Sequence, residues 1–374
     1  MSIRFSPRII DDVDAAFRLL PSSLDGYAAG LPQSASFVRN WQEHANQDCF
    51  IAALHDGDTP VLMLPLEVVT SRSVRLARFP GGSHANGNFP ILRRGVAKLI
   101  GKDDIRSLLR TIRAARPDID VLLLSRQLGS LAQTGNPLLC LRHARNPNPV
   151  LSASLGCGFD SVLERSNSKR KRKKHRQHTR RYEEAGGYRI VTAATADEAR
   201  ALLDRFFSIK AERFAKSGIE NVFGEPGVQQ FFHALFREGV GKTPRTFEIK
   251  GLEVGGVIRA VMGKSFWTDG LTVDFAGIAD DDMVSASPGE YLFFEDIAQS
   301  CAEGIAVYSF GIGDEPYKRD WCDIEEALYD GVLGFTVKGH AYASAWRARN
   351  AVTAVVKGNP KLWELAKKLR ARMS

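Results

Sequence analysis

SASPGEYLFFEDIAQSCAEGIAVYSFGIGDEPYK, residues Ser285–Lys318, decides how the rest of the chain is read. A loop, a helix, a short strand and a second loop follow one another directly. The helix runs over Gly289–Glu303 and ends at Gly304, Ala306–Gly311 is the strand, and Gly313–Lys318 is the loop behind it. Ser287-Pro288-Gly289 stands at the helix entry, where proline pre-sets a helical first turn and glycine lets the backbone come close to a ligand. The unpaired N–H groups of such a turn suit a pyrophosphate. The same residues also read as an ordinary capped helix, with Ser287 as N-cap, Pro288 at the first helical position and nothing bound.

Three strands precede this segment: Thr246–Glu253, Gly256–Trp267 and Leu271–Ile278. The turns between them, Gly255-Gly256 and Thr268-Asp269-Gly270, suit tight antiparallel hairpins. Farther upstream lie a strand at Tyr188–Thr192, a long helix over Thr195–Ser217 and a helix at Gly227–Glu238. The long helix opens on a capping-box pattern, Thr195 with Glu198. Downstream, a strand pair is expected near Glu326–Thr336, then helical stretches at Ala341–Arg349 and Pro360–Met373.

The N-terminal part has a similar outline. Helical patterns at Asp14–Leu20 and Ser36–His44 lead into strands at Phe50–Leu54 and Val61–Val69, joined by Asp56-Gly57-Asp58. Pro80–Pro90 is a Gly/Asn-rich loop, Asp103–Ala115 has helical periodicity, and Asp120–Leu124 is a compact buried strand. Asn146-Pro147-Asn148-Pro149 then breaks the pattern. Both halves run from helices into an antiparallel meander, an outline that fits a duplicated fold without visible sequence similarity between the halves.

The length of 374 residues allows two ordinary domains, and 44% hydrophobic with 25% charged residues is the composition of a soluble globular protein. The net charge of +8 is concentrated in one place. Lys169–Arg181 holds nine Lys/Arg and no acid, which leaves 42 basic against 43 acidic residues elsewhere. Cys49, Cys140, Cys157, Cys301 and Cys322 are scattered without a CxxC pair, which argues against a disulfide framework or a zinc ribbon. The N-terminal MSIRFSPRIIDDVDAAF lacks the apolar core of a signal peptide, and Val121–Leu124 is far short of a bilayer span. A reduced, cytoplasmic protein is expected. His175 and His178 have metal-like spacing but sit among nine cations that would repel a metal ion, so no metal is expected.

The succession of meander, SPG, helix, Gly304, strand and GDEPYK resembles the acetyltransferase domain of the GNAT superfamily. More narrowly it is similar to the CelD-like branch associated with polysaccharide biosynthesis, which is related to the Fem-type transferases. SIKAERFAKSG (Ser208–Gly218), SFVRNW (Ser36–Trp41) and VLMLPLEV (Val61–Val68) add to the likeness, which spans roughly residues 30–330. The loop MVSASPGEY departs from the richer Arg/Gln-x-x-Gly-x-Gly/Ala loop of many acetyl-CoA enzymes. Fem-type transferases, which use aminoacyl-tRNA, carry the SPG variant.

The resemblance implies an α/β (α+β) fold of two GNAT-like domains in tandem, each a mixed, largely antiparallel sheet flanked by helices. The expected division is a degenerate N-terminal domain over 1–150, a basic connecting segment over 151–187, a catalytic domain over 188–340 and a helical extension over 341–374. It implies acyl transfer, with acetyl expected, from acyl-CoA to an amine of a small molecule or sugar. The alternatives are aminoacyl transfer from charged tRNA, or a non-catalytic nucleic-acid or anionic-surface binding protein. Transfer to an amine needs a base, an oxyanion donor and an acid for the leaving thiolate. Asp274 is a candidate base, with Asp314 or Glu315 as others. Tyr317 is placed to protonate the thiolate and Lys318 to neutralise charge or a phosphate. Ser287, Pro288, Gly289, Glu290 and Tyr291 are the expected donor-binding residues.

The basic strip has one aromatic, Tyr182, so base stacking is poorly served. Three readings of it stand side by side: a solvated helix without an apolar face, an anion or tRNA platform, and a contact with an anionic membrane surface.

Overall fold

A computed structural model describes residues 4–21 and 24–358. In chain order its elements are β1 (Ser6–Ile10), α1 (Val13–Arg18), β2 (Tyr27–Ala28), α2 (Ala35–His44), β3 (Cys49–Asp56), β4 (Thr59–Ser71), β5 (Val74–Arg78), β6 (Ile91–Arg93), α3 (Lys102–Ala115), β7 (Val121–Leu128), β8 (Ser130–Leu131), β9 (Thr134–Gly135) and β10 (His143–Arg145). There follow β11 (Val150–Ser154), α4 (Gly158–Glu164), α5 (Ser168–Glu184), β12 (Tyr188–Thr192), α6 (Ala196–Ser217), α7 (Pro226–Gly239), β13 (Phe247–Val254), β14 (Val257–Trp267) and β15 (Gly270–Ile278). The rest are α8 (Pro288–Ala302), β16 (Val307–Ile312), α9 (Pro316–Arg319), β17 (Ile324–Glu326), β18 (Leu328–Gly334) and α10 (Val337–Gly358).

Local chemistry accounts for several of these elements. The Thr195 hydroxyl accepts from the Glu198 N–H while the Glu198 carboxylate accepts from the Thr195 N–H, so α6 begins on the expected capping box. It ends where Gly218 turns left-handed at φ 61°. Gly255 and Gly256 both have positive φ, 58° and 77°, as a tight two-residue hairpin between β13 and β14 requires.

The chain divides into two compact units, Met1–Pro149 with Ala327–Ser374, and Val150–Glu326. The first sheet has the order β1-β3-β4-β5-β7-β18-β10, with β2 and β6 appended at β4. The second has the order β12-β13-β14-β15-β16-β11-β17. The two correspond position by position. In each, a first strand is followed by two helices, α1 and α2 or α6 and α7, and then by a three-strand antiparallel meander. A helix, α3 or α8, then leads to a strand that pairs parallel with the last strand of the meander, β5 with β7 and β15 with β16. The fold is thus α/β with two like domains in tandem, each a mixed, largely antiparallel sheet flanked by helices.

Two expectations are corrected. The strand pair near Glu326–Thr336 does not form: β17 pairs with β11 in the second sheet, whereas β18 pairs with β7 and β10 in the first. The boundaries 188–340 and 341–374 therefore give way to a return of the chain to the first unit at Ala327, and Val150–Ser154 joins the second sheet, not a connecting segment. Strand propensity is the same whichever sheet a strand joins, so sequence pattern carried no signal for this exchange. Ala341–Arg349 lies in α10, and Pro360–Met373 lies outside the described residues.

Each unit has its own core. In the first, Phe50, Leu54, Leu64 and Leu66 pack with Ile105, Leu108 and Ile112 of α3. In the second, Leu252, Met262 and Val273 face Tyr291, Leu292 and Ile297 of α8. That second interface also buries charge. Lys250 and Lys264 both donate to Asp296 Oδ1, at 2.8 and 2.7 Å, and Tyr308 donates to Oδ2 at 2.9 Å. Glu248 stands 2.9 Å from the Lys264 ammonium, which makes two cations against two anions.

Candidate active site

β15 and β16 pair over only three positions, Gly270 with Val307, Leu271 with Tyr308 and Thr272 with Ser309, and then part. They separate beside a β-bulge. Gly263 of β14 stands opposite Phe275 and Lys264 opposite Val273, so Asp274 is the extra residue. Its carboxylate accepts from the Ser265 hydroxyl at 3.1 Å. α8 begins against the far end of β15: a Cβ on Gly289 would stand 2.4 Å from Ile278 Cδ1. The glycine thus lets the helix pack closely on the strand, a reason for it besides the expected approach of a ligand. Ser287 occupies the N-cap position with φ 49° and makes no side-chain cap hydrogen bond, so the expected Ser287 cap is corrected.

The first unit has the corresponding gap after Leu76–Val121, Ala77–Leu122 and Arg78–Leu123, but its own loop fills it. The Asn88 N–H donates to Arg126 O at 2.8 Å, and the Leu128 N–H donates to Asn88 O at 2.9 Å. Buried Gln33 locks this loop, donating to Asn88 Oδ1 at 2.8 Å and accepting from the Phe89 N–H at 3.0 Å.

In the second unit an open cleft lies between α5, the first turns of α8, and α9 with the residues after it. Glu290, Tyr291 and Tyr317 are the expected residues that line it. Asp274, Asp314, Lys318, Ser287, Pro288 and Gly289 do not. Tyr317 is 38% exposed, packs against Phe293, and has its phenol pushed up to about 12, chiefly by burial. Lys318 is 5% exposed; its ammonium donates to Ile312 O at 2.8 Å and lies 3.0 Å from the Glu315 carboxylate, pinning α9 to the end of β16. Asp314 is held by Arg319, which also grips Glu325.

The rest of the cleft comes from the basic strip, where sequence reasoning was incomplete. One face of α5 is not solvated. Tyr182 is fully buried and its hydroxyl donates to Ala286 O at 2.6 Å. His175 lies stacked between Tyr291 and Phe294, ring centroids 4.5 and 4.2 Å away, with Nε2 2.5 Å from Glu295 Oε1. Lys171 donates to Asp320 O at 2.8 Å with its Nζ 3.1 Å from the centre of the Trp321 ring. Burial lowers that ammonium to about 8, against the pull of Asp320 and Glu290. Lys174 reaches Glu290, Arg172 reaches Asp160, and Arg181 donates to Ser285. The absence of an apolar face is therefore corrected. Lys171, Lys174, His175, His178 and Tyr182 recur at helical spacing, and that periodicity was the available signal. The other face of the strip, Lys169, Lys173, Arg176 and Arg180, is exposed, as is Arg170 at the rim of the cleft.

Among the described residues no group of three or more His, Cys, Asp or Glu is placed to hold a metal ion, and no helix is long and apolar enough to cross a membrane.

Residues 169–319 match the acetyltransferase (GNAT) domain family. That span holds the bulge, the parted strands, α8 and most of the residues that line the cleft. No curated protein matches the chain. Among solved structures, FemX is similar with a TM-score of 0.57 at 9% identity, over 88% of this chain and 97% of its own. A conserved protein of unknown function from Bacteroides thetaiotaomicron VPI-5482 is similar with a TM-score of 0.52 at 13% identity, over 89% of this chain and 100% of its own. The C-terminal DUF2156 domain of a protein described as a lysylphosphatidylglycerol synthetase, from Agrobacterium fabrum, gives 0.51 at 13% identity, over 90% of this chain and 94% of its own. These likenesses are of fold, and they span both units.

Proposed function

We propose that this protein is an N-acyltransferase of the second unit, moving an acyl group, acetyl by expectation, from acyl-CoA to an amine of a small molecule or sugar. The observation that carries the reading is the parting of β15 from β16 at the Asp274 bulge, next to the first turn of α8, inside the span that matches the GNAT family. The gap can admit an extended thioester arm, and the Gly289 and Glu290 N–H groups at the helix start suit the donor's pyrophosphate. In the first unit the same gap is filled by Asn88, so we assign that unit no chemistry of its own.

In this reading Asp274 takes the proton of the attacking amine, directly or through water, and backbone N–H groups at the parted strands stabilise the oxyanion. Tyr317, whose phenol is protonated throughout the neutral range and pushed further up by burial, returns a proton to the departing sulfur. Asp314 and Lys318 act by fixing the turn that carries Tyr317. The SPG to GDEPYK succession supports placing the chain in the CelD-like branch, with a role in polysaccharide biosynthesis and a cytoplasmic location. Calorimetric titration with acetyl-CoA tests the reading: micromolar binding that adenosine alone does not reproduce is expected, and no binding to the folded protein overturns it.

A second reading, aminoacyl transfer from charged tRNA, is favoured by the exposed cations Lys169, Arg170, Lys173, Arg176 and Arg180. It predicts co-purifying RNA and an affinity for tRNA that falls steeply with salt.

A further inference from the structure

Arg170, Lys174 and His178 line the cleft of the second unit four residues apart along α5, so they form one stripe that rises about 6 Å from each to the next. Lys171 and His175 line it as well, but both are committed to the protein. Lys171 donates to Asp320 O and lies on Trp321, and His175 is stacked between Tyr291 and Phe294. The stripe is less occupied. Among the described residues the Arg170 guanidinium makes no hydrogen bond or ion pair, and the His178 ring has an aromatic neighbour, Tyr182, but no hydrogen bond. The Lys174 ammonium has Glu290 at 3.4 Å, and both side chains are roughly half exposed.

Charge in the cleft is out of balance. Its walls carry Arg170, Lys171 and Lys174 against Glu290 and Asp320. Lys174 offsets Glu290, and Lys171 feels the pull of Asp320; Arg170 is left over. The stripe also begins in the first turn of α5, which holds no acid. That end of a helix is the positive pole of its dipole, where cations are unfavourable and an anion is favourable. Arg170 and Lys174 repel one another as well, being one turn apart. A bound anion relieves all three conflicts.

We infer that this stripe is a phosphate-monoester site, and that the ester belongs to a reactant: the ribose phosphate of CoA, or a phosphate carried by the amine acceptor. A phosphate monoester brings nearly two negative charges and three acceptor oxygens, enough to meet the guanidinium, the ammonium and the imidazole together, whereas a carboxylate brings two oxygens and one charge. Tyr317 lines the same cleft, so a molecule held by the stripe lies alongside the phenol assigned to the leaving group. That the ester belongs to a reactant rests on the acyltransferase reading above; that the cleft holds phosphate does not.

The test uses the whole chain in three forms: wild type, Arg170→Gln with Lys174→Gln, and Lys173→Gln with Arg176→Gln. The last pair removes the same charge from the exposed face of the same helix. Inorganic phosphate at about 20 mM, against chloride at equal ionic strength, should raise the melting temperature of wild type and of the exposed-face pair by about 2 °C or more, and that of the cleft pair by less than about half as much. Calorimetric titration then assigns the source, with acetyl-CoA against acetyl-dephospho-CoA and glucosamine 6-phosphate against glucosamine. The phosphorylated member of one couple should bind about tenfold more tightly, a preference that only the cleft pair loses. If acetyl-CoA fails to bind while the phosphate effect persists and depends on the cleft pair, the acyltransferase reading falls and the phosphate site remains. If acetyl-CoA binds and neither phosphorylated compound is preferred, the reading stands and the inference is overturned. Equal melting in phosphate and chloride, or equal losses in the two double variants, overturns it too.

Discussion

The imidazole of His175 lies parallel to the ring of Tyr291, with 4.5 Å between ring centroids and 7° between planes. A residue from the most basic stretch of the chain is thereby built into the wall of the cleft, and α5 has two faces with different duties. Tyr182→Ala should cost about 3–5 kcal/mol, because a fully buried aromatic and its bond to Ala286 O are lost together. Lys173→Glu with Arg176→Glu, both on the exposed face, should leave the melting temperature nearly unchanged. Thermal unfolding of the two variants checks the division; equal effects would contradict it.

The Lys250–Lys264–Asp296–Glu248 cluster should govern acid stability. Burial by itself would raise the Asp296 pKa, but Lys264 and Lys250 outweigh it, and the carboxyl lies below its ordinary value in the folded state. Glu248 is lowered for the same reason. A folded pKa depressed below the unfolded one gives stability that is present above the unfolded value, about 3.9 for Asp and 4.3 for Glu. That stability is lost as pH falls through the folded one. Melting temperature should therefore fall below about pH 4. Asp296→Asn leaves two buried ammoniums short of an anion and should cost about 3–5 kcal/mol at neutral pH. It should also flatten the acid limb, which a melting series from pH 7 to 3 would show.

Gly289→Ala should destabilise by about 1–3 kcal/mol, since its Cβ meets Ile278 Cδ1 at 2.4 Å. Removing that methyl with Ile278→Val should recover part of the loss, a coupling that denaturant unfolding of the two single variants and the double variant would measure. If the double variant also keeps its affinity for acetyl-CoA, the glycine serves packing, and the helix N–H groups alone are left to hold the phosphate.

Sequence made the meander, the SPG helix and α6 legible, because each rests on local rules: turn glycines, a capping box and apolar periodicity. Asp274, Glu290 and Tyr317 were singled out by their place in that succession, and two of them, Glu290 and Tyr317, line the cleft. What stayed hidden depends on three-dimensional proximity. No local pattern tells β18 which sheet to join, marks Lys250 and Lys264 as partners of Asp296, or shows that His175 faces Tyr291 and Phe294. Nor does it show that the Lys318 ammonium, expected to neutralise charge or a phosphate, turns inward to Ile312 O and Glu315.

That inward turn separates Tyr317 from its neighbour in a kinetic experiment. Tyr317→Phe removes one oxygen from a ring that already packs against Phe293 and Phe310, so fold and donor affinity should be retained. With an acceptor found by screening amines against acetyl-CoA, the single-turnover rate should fall about 10²-fold if the phenol protonates the leaving sulfur. Because the phenol is pushed up to about 12, its own ionisation should not limit the wild-type rate below roughly pH 11, and any alkaline limb seen nearer neutrality belongs to another group. Lys318→Met should behave otherwise. It deprives Ile312 O and Glu315 of a buried ammonium and loosens the turn that positions Tyr317, so melting temperature and rate should fall together. A wild-type rate in Tyr317→Phe would move the acid to a water molecule or to Asp314. A Lys318→Met variant that melts like wild type would return that ammonium to the substrate.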